Sequence, residues 1–93
     1  MNGHQIEKLA KLLKAIANER RLRILYNIAN EELSVGEIEK LFDMTQSALS
    51  QHLAILRKEN IVKTRRKAQS IYYRLENQTV KDLLSFLNNQ GYN

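Results

Sequence analysis

Apolar residues recur along most of this chain at spacings of three and four, the period of a helix with one buried face. Ile6, Leu9, Leu12, Leu13 and Ile16 predict a first helix with a broad apolar stripe. Ala17-Asn18 interrupts it, and Asn18 suits the N-cap of a second helix that runs through Leu22, Ile24, Leu25 and Ile28 and stops near Asn30. Glu31-Glu32-Leu33 reads as a short connection. Ser34 then opens a short third helix as a capping box, because Glu37 three residues on can reach back to the Ser34 N–H. Its stripe is Val35, Ile38, Leu41 and Phe42. After a tight turn at Asp43-Met44, Thr45 caps a fourth helix that ends near Asn60.

The period then changes from that of a helix to that of a strand. Residues 61–65 and 70–75 are rich in β-branched and aromatic side chains, and Arg66-Lys67-Ala68-Gln69 lies between them. This predicts an antiparallel hairpin with a basic tip, although without an Asn-Gly turn signal. Of Tyr72 and Tyr73, strand alternation sends one toward the core and leaves the other outside. Val80, Leu83, Leu84 and Leu87 mark a last helix, followed by a polar, frayed tail at Asn88–Asn93. The expected class is therefore mostly α with a small β-hairpin: a single domain over 1–93 with about five helices and a two-stranded wing. Helices at about 34–59 followed by a hairpin at 61–75 make a winged helix-turn-helix.

The fourth helix has two unlike faces. Leu49, Leu53 and Leu56 form its buried stripe, while Gln46, Ser47, Ser50, Gln51 and Ala54 form the other. A solvated face would ordinarily carry Lys and Glu, which are better helix formers than Ser. Short neutral groups let a helix backbone approach base edges in a major groove, and Gln and Ser carry both donors and acceptors for reading them. Gln46, Ser47, Ser50 and Gln51 are accordingly the candidate base-reading residues. Thr45 and the first N–H groups of the helix suit a phosphate.

Charge sharpens this picture. The net charge of +5 is unevenly spread: residues 1–44 hold seven basic and seven acidic groups and sum to zero. Residues 45–75 hold Arg57, Lys58, Lys63, Arg65, Arg66, Lys67 and Arg74 against Glu59 alone, or +6. Residues 76–93 sum to −1. A local basic field suits a polyanion, with double-stranded DNA the leading candidate. Arg65, Arg66 and Lys67 are candidate wing contacts, and Arg57 and Lys58 candidate phosphate contacts. The rival reading is a protein-interaction module that offers its basic hairpin and helical faces to an acidic partner.

A chain of 93 residues buries only a thin core. Ile6, Leu9, Leu13 and Ile16 on the first helix and Val80, Leu84 and Leu87 on the last are more apolar surface than such a core covers, which predicts a homodimer through helices at about 5–17 and 78–89. A two-fold dimer would match an inverted repeat, with its recognition helices about 34 Å apart. There is no cysteine, which excludes disulfides and thiol chemistry and fits a cytoplasmic, nucleoid-associated location. The charged N-terminus is neither signal peptide nor membrane span. His4 reads as solvated, and His52 as a partly buried residue at the edge of the leucine stripe. No activated nucleophile, paired carboxylates or Gly-rich phosphate loop suggests an enzyme, and no cofactor is expected.

Residues 10–75 resemble the ArsR/SmtB family of bacterial winged-helix regulators. The resemblance is carried by LLKAIANERRLRIL (12–25), ELSVGEI (32–38), QSALSQHLAILRKENIV (46–62) and AQSIYYRL (68–75), and is greatest toward the HlyU-like branch, which regulates virulence genes. It implies a homodimer built from the first and last helices, a recognition helix at 45–59 and a wing at 61–75. Such a regulator acts as a repressor by occlusion, or activates by displacing a silencing protein. Most members of such a family release DNA on binding a metal or on cysteine oxidation. Here the start of the third helix, where thiophilic-metal sensors carry cysteines, reads Ser34-Val35-Gly36, and the last helix has Asp82 but no histidine. Neither a sensing metal nor a thiol switch is expected.

Overall fold

In a computed structural model, which describes residues 1–91, side-chain caps set where each helix begins. Asn2 and Gln5 form a capping box that opens α1 (Gly3–Ile16), and Asn18 accepts from the N–H groups of Arg20 and Arg21 at the start of α2 (Glu19–Ile28). Ser34 and Glu37 exchange the two bonds of the expected capping box at α3 (Val35–Leu41). The Ser34 N–H, and after it the Ser34 hydroxyl, hold the Glu37 carboxyl below its ordinary value. Thr45 caps α4 (Gln46–Lys58), and Asn77 caps α5 (Gln78–Asn88). The tail expected from Asn88 begins one residue later, since Asn88 closes α5, and residues 92–93 lie outside those described.

The sheet has three strands where the sequence suggests two. The short connection before α3 contributes β1 (Leu33–Ser34), which pairs antiparallel with β3 (Ser70–Leu75), and β3 pairs with β2 (Val62–Lys67). Leu33 lies opposite Tyr73, and Tyr73 opposite Thr64. A two-residue strand has no period to detect; its partner defines it. The hairpin turn is also tighter than expected. Arg66 and Lys67 belong to β2, so Ala68-Gln69 alone makes the turn, with Ala68 at φ 55°.

One core joins all of these elements. Ile24, Leu25 and Ile28 of α2 meet Ile38, Leu49, Leu53, Leu56, Ile61, Tyr73, Leu75, Val80 and Leu84 in it. α4 packs on α1, α2 and β2, and α3 packs on β3 and β1. Ile16, Val80 and Leu84, expected at a dimer surface, are among the buried residues and are covered by the chain itself. Ile6 and Leu13 remain exposed, Leu9 and Leu87 half-buried, and Phe86 stands out from α5 at 60% exposure.

The junction between α4 and the wing is built from backbone. Asn60, at φ 56°, donates its N–H to the Arg57 carbonyl (3.0 Å), and Ile61 donates to the Leu56 carbonyl (3.0 Å). This pair of bonds is a Schellman ending, with Leu56 and Ile61 both fully buried as its hydrophobic contact. Asn is one of the few side chains that accepts the left-handed conformation at small cost. Replacing Asn60 by Gly is expected to preserve or raise the thermal midpoint, while Asn60→Val is expected to lose about 1–2 kcal/mol. In a domain of this size that is a fall of roughly 4–8 °C per kcal/mol, measurable by circular dichroism.

Candidate nucleic-acid interface

The apolar stripe of α4 turns inward and fixes the helix by burial, since Leu49, Leu53 and Leu56 are each at most 3% exposed. Gln46, Ser47, Ser50, Gln51 and Ala54 consequently face solvent together. Among the described residues, the side chains of Ser47, Ser50 and Gln51 make no hydrogen bond within the molecule. Gln46 makes one long contact, from its amide to Glu39 Oε1 (3.4 Å). The face thus carries donors and acceptors held on a rigid helix and left without internal partners. Thr45 Oγ1 accepts from the Ala48 N–H (3.0 Å), which leaves its hydroxyl proton free to donate. Arg57 and Lys58 are exposed in the last turn of α4, where cations also suit the helix dipole.

In the wing the three predicted cations are not equivalent. β2 is exposed beyond Val62, so the hairpin projects from the body. Arg66 and Lys67 carry no ion pair among the described residues. Arg65 donates from Nε to Glu32 Oε1 (2.6 Å), and its guanidinium lies 4.8 Å from the ring centroid of Tyr72, its cross-strand partner. Glu32 also faces Arg74 (3.7 Å), which in turn donates to Glu76 (3.1 Å). The hydrogen bond and charge of Arg74 hold the Glu76 carboxyl low. Tyr73 is the core-facing tyrosine of the pair and Tyr72 the outer one, so Tyr72 supports Arg65 by stacking beneath it. The sequence does not disclose that Glu32 braces the wing, because the contact spans 33 positions.

His52 connects α4 to the rest of the domain. Arg21 donates through its guanidinium to the carbonyls of Ala15 and Lys14 at the end of α1, and Nη1 of Arg21 lies 3.2 Å from His52 Nδ1. A guanidinium can only donate, so Nδ1 accepts and His52 is neutral with its proton on Nε2. Burial, then the charges of Arg21 and Arg20, hold the His52 pKa below the ordinary imidazole value. Among the described residues no group of three or more His, Cys, Asp or Glu side chains could hold a metal ion, and no helix is long and apolar enough to cross a membrane.

Comparison with known proteins bears on this geometry. Residues 18–64 match the family model described as bacterial regulatory protein, arsR family. The chain is 47% identical over 91 residues to the transcriptional activator HlyU of Vibrio cholerae serotype O1, spanning 94% of this chain and 84% of that protein. It is 42% identical over 80 residues to the biofilm growth-associated repressor of Agrobacterium fabrum, spanning 86% of this chain and 68% of the repressor. The solved structure of HlyU from Vibrio cholerae N16961 superposes with a TM-score of 0.89 at 44% identity, covering 100% of each chain.

The neutral His52 has a consequence for stability. Its folded pKa is depressed, so the unfolded chain binds the proton more readily and stability rises with pH through the window below about 6.5. The contribution is fully present above the unfolded value and is lost as pH falls through the lowered folded value. Urea unfolding is expected to give a lower free energy at about pH 5 than at about pH 7.5, with a smaller difference in His52→Gln. An unchanged difference would place the pH dependence elsewhere.

Proposed function

The chain belongs to the arsR family of bacterial regulatory proteins and is a transcriptional regulator, and from that premise we propose that it binds an inverted-repeat operator as a homodimer, without metal or thiol sensing. Gln46, Ser47, Ser50 and Gln51 read base edges in the major groove. Thr45, Arg57 and Lys58 hold phosphates beside them, and Arg66 and Lys67 hold phosphates at the wing. Arg65 joins them by exchanging Glu32 for a phosphate. The observation that carries this reading is the exposed, unpartnered Ser47–Ser50–Gln51 face beside a projecting basic hairpin. Carboxylates on that face would be repelled by phosphates, and long cations would hold the helix away from the bases.

The dimer reading is supported by the apolar surface that the monomer leaves uncovered on its terminal helices, at Ile6, Leu9 and Leu13 of α1 and at Phe86 and Leu87 of α5. Independence from thiol sensing is supported by the absence of cysteine from the sequence. Two helices related by a two-fold axis would read half-sites about 10 base pairs apart, centre to centre.

Selection of bound duplexes from a random pool by the full chain tests the reading, and an inverted repeat with that spacing is the expected product. In the Ser50→Ala/Gln51→Ala variant the preference for the selected duplex is expected to fall by about 1–3 kcal/mol for each base pair no longer read, with non-specific affinity retained. Unchanged preference would remove these residues from base reading. Leu13→Glu with Phe86→Glu is expected to sediment as a folded monomer and to lose the preference for paired half-sites.

A further inference from the structure

The balanced charge of the first 44 residues conceals a concentration in space. Lys11 and Lys14 of α1, Arg21 of α2 and Lys58 of α4 line one shallow depression of about 300 Å³, together with Ile55 and Glu59. Four cations face a single carboxylate there, a surplus of three positive charges. Lys11, Lys14 and Lys58 are exposed, and no ion pair among the described residues engages any of the four. A surface without a charged partner ordinarily intersperses the two signs, since like charges held together repel. The fold creates the cluster. Arg21 is pinned to the end of α1 by its bonds to the Lys14 and Ala15 carbonyls, and the packing of α1 on α4 brings the two lysines to the last turns of the recognition helix.

The depression also adjoins the reading face. Ser47, Gln51, Ile55 and Lys58 follow one another along α4 at spacings of four and three, so each lies over the next. Lys58 therefore belongs both to that row and to the basic depression. Ile6 and Leu13, the exposed apolar residues of α1, lie seven positions apart on one stripe, with Lys14 on the neighbouring flank of the helix and Lys11 farther round, toward its opposite side. A partner covering the apolar stripe would leave the lysines accessible.

We infer that the Lys11–Lys14–Arg21–Lys58 depression is a second phosphate-binding surface, which grips the DNA backbone beyond the recognition helix and the wing. The inference rests on the DNA-binding reading above and adds Lys11, Lys14 and Arg21, which that reading leaves unused. The surface is sequence-independent: ammonium groups on flexible stems meet phosphates as point charges and carry no base code.

The test uses the full chain and a fixed duplex of random sequence about 30 base pairs long, with binding followed by fluorescence anisotropy across salt concentrations. Lys11→Gln/Lys14→Gln is expected to weaken binding at least about tenfold at low salt and to make the slope of log affinity against log salt shallower by up to about four, two lysines from each protomer of the dimer. Lys11→Arg/Lys14→Arg is expected to keep the native slope. The ratio of affinities for selected and random duplexes should be the same in both variants as in the native chain. A native slope in the Gln pair, or an equal loss in the Arg pair, overturns the inference. The two readings fail separately. A native chain that selects no sequence sinks the operator reading, whereas one that selects an operator while the Gln pair keeps its slope sinks only this second surface.

Discussion

The backbone of Ile61 holds three elements in one place: α4, the wing and α5. Its N–H closes α4 on the Leu56 carbonyl, and its own carbonyl accepts from the N–H groups of Glu76 and Asn77, where the wing ends and the last helix begins. Its side chain is fully buried. A burial of that kind is worth roughly 1.5–3 kcal/mol, and the buried backbone groups would cost comparable amounts if left unpaired. The direction in which the wing leaves α4 is therefore fixed by one residue and its left-handed predecessor, Asn60. A reading helix and a wing act on a single ligand only if their relative placement is constant, and this junction makes it so.

The remaining interactions of α4 serve the same end from the opposite side. The leucine stripe anchors it to the core, and Arg21 joins the last carbonyls of α1 to the ring of His52. The face left over can then be assembled from poor helix formers such as Ser, because tertiary packing and not propensity stabilises the helix. That explains how a helix can dedicate a whole side to short polar groups without losing its structure.

Much of this is legible from residue order. Spacing locates the five helices, and Asn18, Ser34 and Thr45 announce their starts, because a cap is a local interaction with a local signature. Illegible features are those decided by a distant partner. Leu33–Ser34 becomes a strand only through Tyr72 and Tyr73, and Arg65 finds Glu32 across the sheet. An apolar stripe does not say what covers it, so Ile16, Val80 and Leu84 have the pattern of interface residues although the core holds them. Phe86 gives no signal of its own because it stands off the stripe defined by Val80, Leu84 and Leu87. Charge summed along the chain likewise does not reveal that Lys11, Lys14 and Arg21 gather around the end of α4.

The stacked and paired state of Arg65 changes what the wing offers to an anion. Free arginines at a hairpin tip sample many rotamers, and ordering one on binding costs up to about 2 kcal/mol of side-chain entropy. Glu32 and the ring of Tyr72 have already confined this one. An incoming anion would displace a carboxylate from a guanidinium that is held in place by its ring, so most of the ordering cost falls on folding and little on association. The wing is thus divided along its length, with a preorganised cation at Arg65 and two exposed cations without an ion pair among the described residues at Arg66 and Lys67, suited respectively to a fixed and to a variable distance from an anion.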